Sequence, residues 1–182
     1  SYVNAVLASQ HDENVIYVLF NHHKYGDFKP YVFKSSDLGN TWTAITNNLP
    51  ERGSSYTIAE DHVDPNLLFI GTEFGAFFSP TGGSEWKQLK AGLPTIAVRD
   101  IALHPRENDL VLGTFGRGFY VLDDYSALRG IGSKLDSDGF LASVRDPLLY
   151  LPKMPLGLPG QGFQGDSYYR GENLPSVAMF TY

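Results

Sequence analysis

Ser35-Ser36-Asp37-Leu38-Gly39-Asn40-Thr41-Trp42 decides the fold of this chain, because it returns in worn form 44 positions later as Ser79-Pro80-Thr81-Gly82-Gly83-Ser84-Glu85-Trp86. Ser, Gly and Trp keep their places, Thr81 stands in for Asp37, and the same offset carries Leu49-Pro50 onto Leu93-Pro94. A fixed period of this size marks a repeat architecture in which each unit packs on the next. Within the octet, the Asp37 carboxylate can fold back onto nearby backbone N–H groups and hold a tight turn. Gly39 supplies a positive φ, and Trp42 is expected to bury a large apolar surface at the start of the next strand.

Outward from the octet, short apolar runs broken by Gly, Asn, Asp and Pro give an all-β reading. The first unit is predicted to have strands over 2–9, 15–20, 31–35 and 42–45, and the second over 56–60, 67–72, 76–79 and 86–89. The third offers 98–103, 110–114 and 118–122 without a convincing fourth strand, and 125–129 makes one helical turn at most. The fold class is therefore a partial β-propeller of about three blades of four-stranded antiparallel sheets, with an irregular Pro/Gly-rich C-terminal segment. From Pro152 to Gly165 there are three Pro and four Gly, which predicts a linker, and 176–182 alternates enough to start a strand. Three blades do not close a ring of the usual four to eight, so the chain reads as a piece of a longer protein that would self-associate through uncovered sheets and edges.

Composition sets outer bounds. Aromatic content of 14%, with 12 Phe and 11 Tyr, favours strands. The formal charge of −6 and the absence of a basic run argue against nucleic-acid binding. There are no cysteines, so disulfides and thiolate metal sites are excluded. No membrane-spanning run or signal peptide is visible, so no membrane insertion is expected.

The octet resembles the Asp-box of bacterial neuraminidase repeat (BNR) propellers, a superfamily that includes sialidases, xyloglucanases and the sortilin ectodomain. Asp27-Phe28-Lys29-Pro30-Tyr31, Gly71-Thr72-Glu73-Phe74-Gly75 and the run from Leu110 to Asp124 are similar to bacterial sortilin-like proteins of glycosyl hydrolase type. One departure is Phe115, where that family often has His. The resemblance implies that 1–129 are the last blades of a BNR propeller and 130–182 a linker and the start of a following domain. It also implies a secreted or periplasmic location, and Ser35, Asp37, Gly39, Thr41 and Trp42 as a structural clasp away from the ligand face.

Propeller topology gathers the second-to-third strand loops around the channel, and here they present His22, His23, Tyr25, Asp27, Glu73, Phe74, Phe115 and Arg117. Arg117 can grip a carboxylate through its planar fork, with Phe74, Phe115, His22, His23 and Tyr25 as further ligand contacts. Asp27 and Glu73 are the candidate glycosidase carboxylates, since such hydrolases need two at a set separation. Imidazole and carboxylate in His22, His23 and Asp27 suit a metal, but adjacent exposed histidines are more often simply solvated, and no metal or cofactor is expected. The function expected is a non-catalytic extracytoplasmic module binding a peptide, protein or glycan. The alternative is part of a xyloglucanase-like hydrolase, because a sialidase's arginine triad cannot be assembled from these residues.

Overall fold

The computed structural model describes residues 1–90, 92–134, 137, 139–147, 149 and 176–182. The chain divides into one unit over Ser1–Phe140 and another over Leu141–Tyr182. In the first unit eleven strands form three antiparallel sheets among the described residues. β1 (Tyr2–Ala8), β2 (Ile16–His22), β3 (Asp27–Ser35) and β4 (Thr43–Ala44) run in spatial order in the first sheet. β5 (Ser55–Glu60), β6 (Leu68–Thr72), β7 (Gly75–Ser79) and β8 (Lys87–Leu89) do so in the second. β9 (Val98–His104), β10 (Asp109–Thr114) and β11 (Phe119–Leu122) form a third sheet, which among the described residues has three strands and no fourth. This is an all-β partial propeller, and the predicted strands lie within a few residues of the observed ones.

The sheets stack because their apolar faces alternate. Tyr17, Leu19 and Val32 of the first sheet meet Ile58, Leu68, Ile70 and Phe77 of the second. Leu67, Phe69 and Ala76 meet Val98, Ile101, Leu110 and Leu112 of the third. All five residues of β6 are therefore buried, as expected for a strand covered on both faces. Gly71 permits the approach: a Cβ there would lie 2.6 Å from the Val98 carbonyl oxygen.

The two repeated turns use the same hydrogen bonds with different chemistry. In the first, Gly39 N–H donates to Ser35 Oγ at 2.8 Å and Thr41 N–H to Asp37 Oδ1 at 2.8 Å. In the second, Gly83 N–H donates to Ser79 Oγ at 2.8 Å and Glu85 N–H to Thr81 Oγ1 at 2.9 Å. The Thr81 hydroxyl thus does the work of the Asp37 carboxylate. The Thr41 hydroxyl and N–H, with Ser35, hold Asp37 down to about 2. Leu38 adopts φ 60°, where the second turn has Gly82 at φ 66°.

Trp42 departs from expectation: it is 43% exposed, whereas Trp86 is 3% exposed. The indole of Trp86 donates to Ile45 O at 2.7 Å, and its backbone pairs with the Asn48 side chain through two bonds of 2.7 and 2.9 Å. Those partners come from the sheet before it, and among the described residues Trp42 has no such sheet. In the second unit, 176–182 forms no strand, although Ala142 N–H donates to Thr181 O at 3.0 Å. The expected linker over 152–165 lies outside the described residues.

After β11 the chain makes a 3-10 turn over Tyr125–Leu128, capped by Asp124, whose carboxylate accepts from Ser126 N–H and Oγ. This turn delivers Tyr125 and Arg129 to Asp61, which is fully buried. Arg129 donates through Nε and a terminal nitrogen at 2.7 and 2.8 Å, and the Tyr125 hydroxyl at 2.7 Å. Val63 and Asp64 N–H donate to the same carboxylate at 3.1 and 2.8 Å, and His62 Nδ1 lies 3.4 Å from it. Burial pushes Asp61 upward, but Arg129, Tyr125 and Asp64 outweigh it and leave the carboxyl at about 2.

Two outcomes are expected. Asp61→Asn leaves Arg129 without its counter-charge and lowers the unfolding free energy by about 3 kcal/mol in urea titrations. Because the folded value of Asp61 lies below the unfolded one near 4, its contribution is complete above that value and disappears as pH falls through about 2. Leu38→Gly removes a left-handed strain from an exposed side chain and raises stability by up to about 1 kcal/mol, with Gly82→Leu moving it the other way.

Candidate functional site

The innermost strands β1, β5 and β9 each carry one irregularity at the same end. Pairing of β1 with β2 slips between Val3 and Ala5, and that of β5 with β6 between Ser55 and Thr57. On β9, Asp100 pairs with Gly113 and Val98 with Thr114, so Arg99 has no partner. Asn4, Tyr56 and Arg99 are thus the unpaired residues of three β-bulges. A bulge twists the strand and re-aims the side chain of the extra residue.

All three line one open cavity of about 330 Å³, together with Asn21, His23, Phe28, Ser54 and Glu73. The guanidinium of Arg99 lies 3.8 Å from the Tyr56 ring centroid and 5.4 Å from that of Phe115. Both distances are within cation–π reach. Among the described residues no carboxylate comes within ion-pair distance of Arg99. Burial raises Tyr56 above the usual phenol value, with Arg99 lowering it and Glu73 raising it by smaller amounts. The cavity thus offers a cation, a carboxylate, amides, an imidazole and hydroxyls, with aromatic faces at its edge.

Of the residues expected on the channel face, His23 and Glu73 line this cavity. Phe115 stands next to it through its contact with Arg99, and Phe74 is 44% exposed beside Gly53. Asp27 is not among the lining residues. Its carboxylate accepts from the Tyr31 hydroxyl and from Lys29 N–H at 3.1 Å, and Tyr31 chiefly holds it below the ordinary aspartate range.

His22 and Tyr25 stack on each other at 4.5 Å, and His22 Nδ1 lies 2.7 Å from Ser1 Oγ. No group of three metal-ligating side chains occurs among the described residues. Arg117 is exposed on a hairpin closed by Thr114, whose N–H and hydroxyl donate to Gly118 O at 3.0 and 2.7 Å. It is Arg99, not Arg117, that enters the cavity. Asn4, Asn21, Phe28, Ser54, Tyr56 and Arg99 escape sequence reasoning. Register slips are created by pairing partners distant in the chain, so no local motif announces them.

No protein-family model matches the chain, and no curated protein matches it. Solved structures do. An ancestral GH74 enzyme matches 63% of the chain at 23% identity with a TM-score of 0.52. The GH74 xyloglucanase from Xanthomonas campestris matches 67% at 16% identity with a TM-score of 0.53. The chain spans 14% and 22% of the length of these two structures. At such identities the likeness establishes the shared fold.

Tyr31→Phe removes the main donor to Asp27, so the Asp27 carboxyl is expected to move upward toward the ordinary aspartate value. A carbon-detected NMR titration of the two proteins reads the shift directly.

Proposed function

We propose that the channel-face cavity is a glycan-binding site and that the chain is the binding part of a secreted or periplasmic BNR-type propeller protein. The observation that carries this reading is the cavity's lining: Asn4, Asn21, His23, Tyr56, Glu73 and Arg99 around an open hollow, with Phe28 at its wall. A saccharide presents many hydroxyls that both donate and accept, and planar amide, carboxylate and guanidinium groups match them in pairs. Exposed rings such as Phe74 and Phe115 offer apolar faces to the C–H side of a sugar. The solved structures of similar fold are described as GH74 enzymes, one of them a xyloglucanase, which supports a saccharide over a peptide ligand.

A second reading, part of a glycoside hydrolase of xyloglucanase type, is favoured by the same neighbours and by Glu73 at the cavity. Hydrolysis needs a second carboxyl that can give up a proton in the reaction. Asp27 is poorly suited, because Tyr31 stabilises its ionised form and it lies outside the cavity lining. In that reading the second carboxyl comes from another part of a longer protein.

Isothermal titration of the chain with xyloglucan oligosaccharides tests both readings. Binding is expected, weakened about tenfold by Arg99→Ala or Glu73→Gln, the effect of losing one charge-assisted hydrogen bond. Binding that both substitutions leave unchanged would overturn the site, and release of reducing sugar would favour the hydrolase.

A further inference from the structure

We propose that His23 is the proton acceptor of the cavity, its Nε2 kept bare by an amide relay that ends on a backbone carbonyl, and that this nitrogen receives a hydroxyl of the bound saccharide. The ligand half of the proposal rests on the glycan reading above; the relay does not.

The relay begins at Ser55 O, which has no proton to give. Asn4 must therefore turn its Nδ2 toward it, and does so at 2.5 Å. That turns Asn4 Oδ1 to Asn21, which must answer with its own Nδ2, again at 2.5 Å. Asn21 is left with Oδ1 for its remaining neighbour, His23 Nδ1, at 2.5 Å. An amide oxygen only accepts, so the proton in this bond belongs to His23 Nδ1. A neutral imidazole carries one N–H, and protonation of Nδ1 leaves Nε2 as a lone pair.

The placement makes this consequential. His23 lines the cavity, and its Nδ1 edge is occupied by Asn21. The edge it can offer a ligand is Nε2, which has no partner among the described residues. Asn21 is buried and Asn4 sits at the β1 bulge, so both positioning amides are fixed by the sheet. The neighbouring His22 shows the contrast: its Nδ1 meets the Ser1 hydroxyl, which can donate or accept, so nothing sets its tautomer. A metal is not the better occupant, since no cluster of three ligating side chains lies among the described residues.

The test is a long-range nitrogen–proton correlation spectrum of the 15N-labelled chain, recorded at a pH where imidazoles are neutral. The Nδ1–H pattern is expected for His23 in the unmodified chain. An Nε2–H pattern, or an average of the two, overturns the proposal without any variant having to fold. Asn21→Ala is expected to shift His23 toward the Nε2–H form that free histidine prefers. Asn21→Asp keeps an acceptor at Nδ1 and is expected to keep the Nδ1–H form.

Addition of xyloglucan oligosaccharides is then expected to move the Nε2 resonance upfield as it accepts a hydroxyl. Saccharide binding that leaves Nε2 unmoved overturns the role of His23 while sparing the glycan reading. Absence of saccharide binding overturns the glycan reading and the ligand half together, with the tautomer still decided by the first spectrum.

Discussion

The fold depends on a pair of adjacent carboxylates, Glu60 and Asp61, where the inner strand of the middle sheet ends. Side chains alternate along a strand, so neighbours in sequence face opposite sheets. Glu60 turns to the first sheet, where it accepts from Ser9 Oγ, Gln10 N–H and the Tyr17 hydroxyl at 2.8, 2.8 and 3.1 Å. Asp61 turns the other way and holds Tyr125 and Arg129 from the segment after the third sheet. Both carboxylates are buried, so a partner missing on either side would leave a charge unpaired in a dry site. One dipeptide therefore ties the middle sheet to what lies on each side of it.

At their other ends the inner strands are deliberately irregular. The bulges at Asn4, Tyr56 and Arg99 break the ladder and bring these three side chains to one cavity. The site draws Asn4, Tyr56 and Arg99 from strands and His23, Ser54 and Glu73 from the connections between them, and strands locked at one end hold a bulge still at the other. The amide relay from Ser55 O to His23 crosses from the middle sheet to the first through such a bulge, so the ordering of the cavity inherits the stacking of the sheets.

What could be read from the sequence follows from the range over which each feature is determined. Strand positions and the two turns were legible because alternation and the Ser–Gly–Trp spacing are local. His23 and Glu73 were legible because loop position in a propeller follows from strand order. Arg99 was not, although it lies one residue inside a recognised strand, because its aim depends on a slip against Gly113 and Thr114. Arg117 has a fork suited to a carboxylate, but it lies on a hairpin between Gly116 and Gly118, whose positive φ values serve the turn itself. The Asp61 clasp is illegible for a related reason: Arg129 is 68 residues away, and the 3-10 turn brings it back.

The wear of the repeat has a physical logic as well. The first turn is held chiefly by its own carboxylate, which gathers Ser35 and Thr41, with Leu38 N–H on Asn14 O as an outside contact. The second turn has further partners from the neighbouring sheet: Asn47 Nδ2 donates to Gly83 O at 2.6 Å, and Asn48 brackets the Trp86 backbone. A neutral hydroxyl makes weaker hydrogen bonds than a carboxylate, and at the second turn Asn47 and Asn48 share the task that falls to Thr81. In a stack whose stability is a sum of units and their interfaces, a turn can lose its own charge once the interface supplies its order.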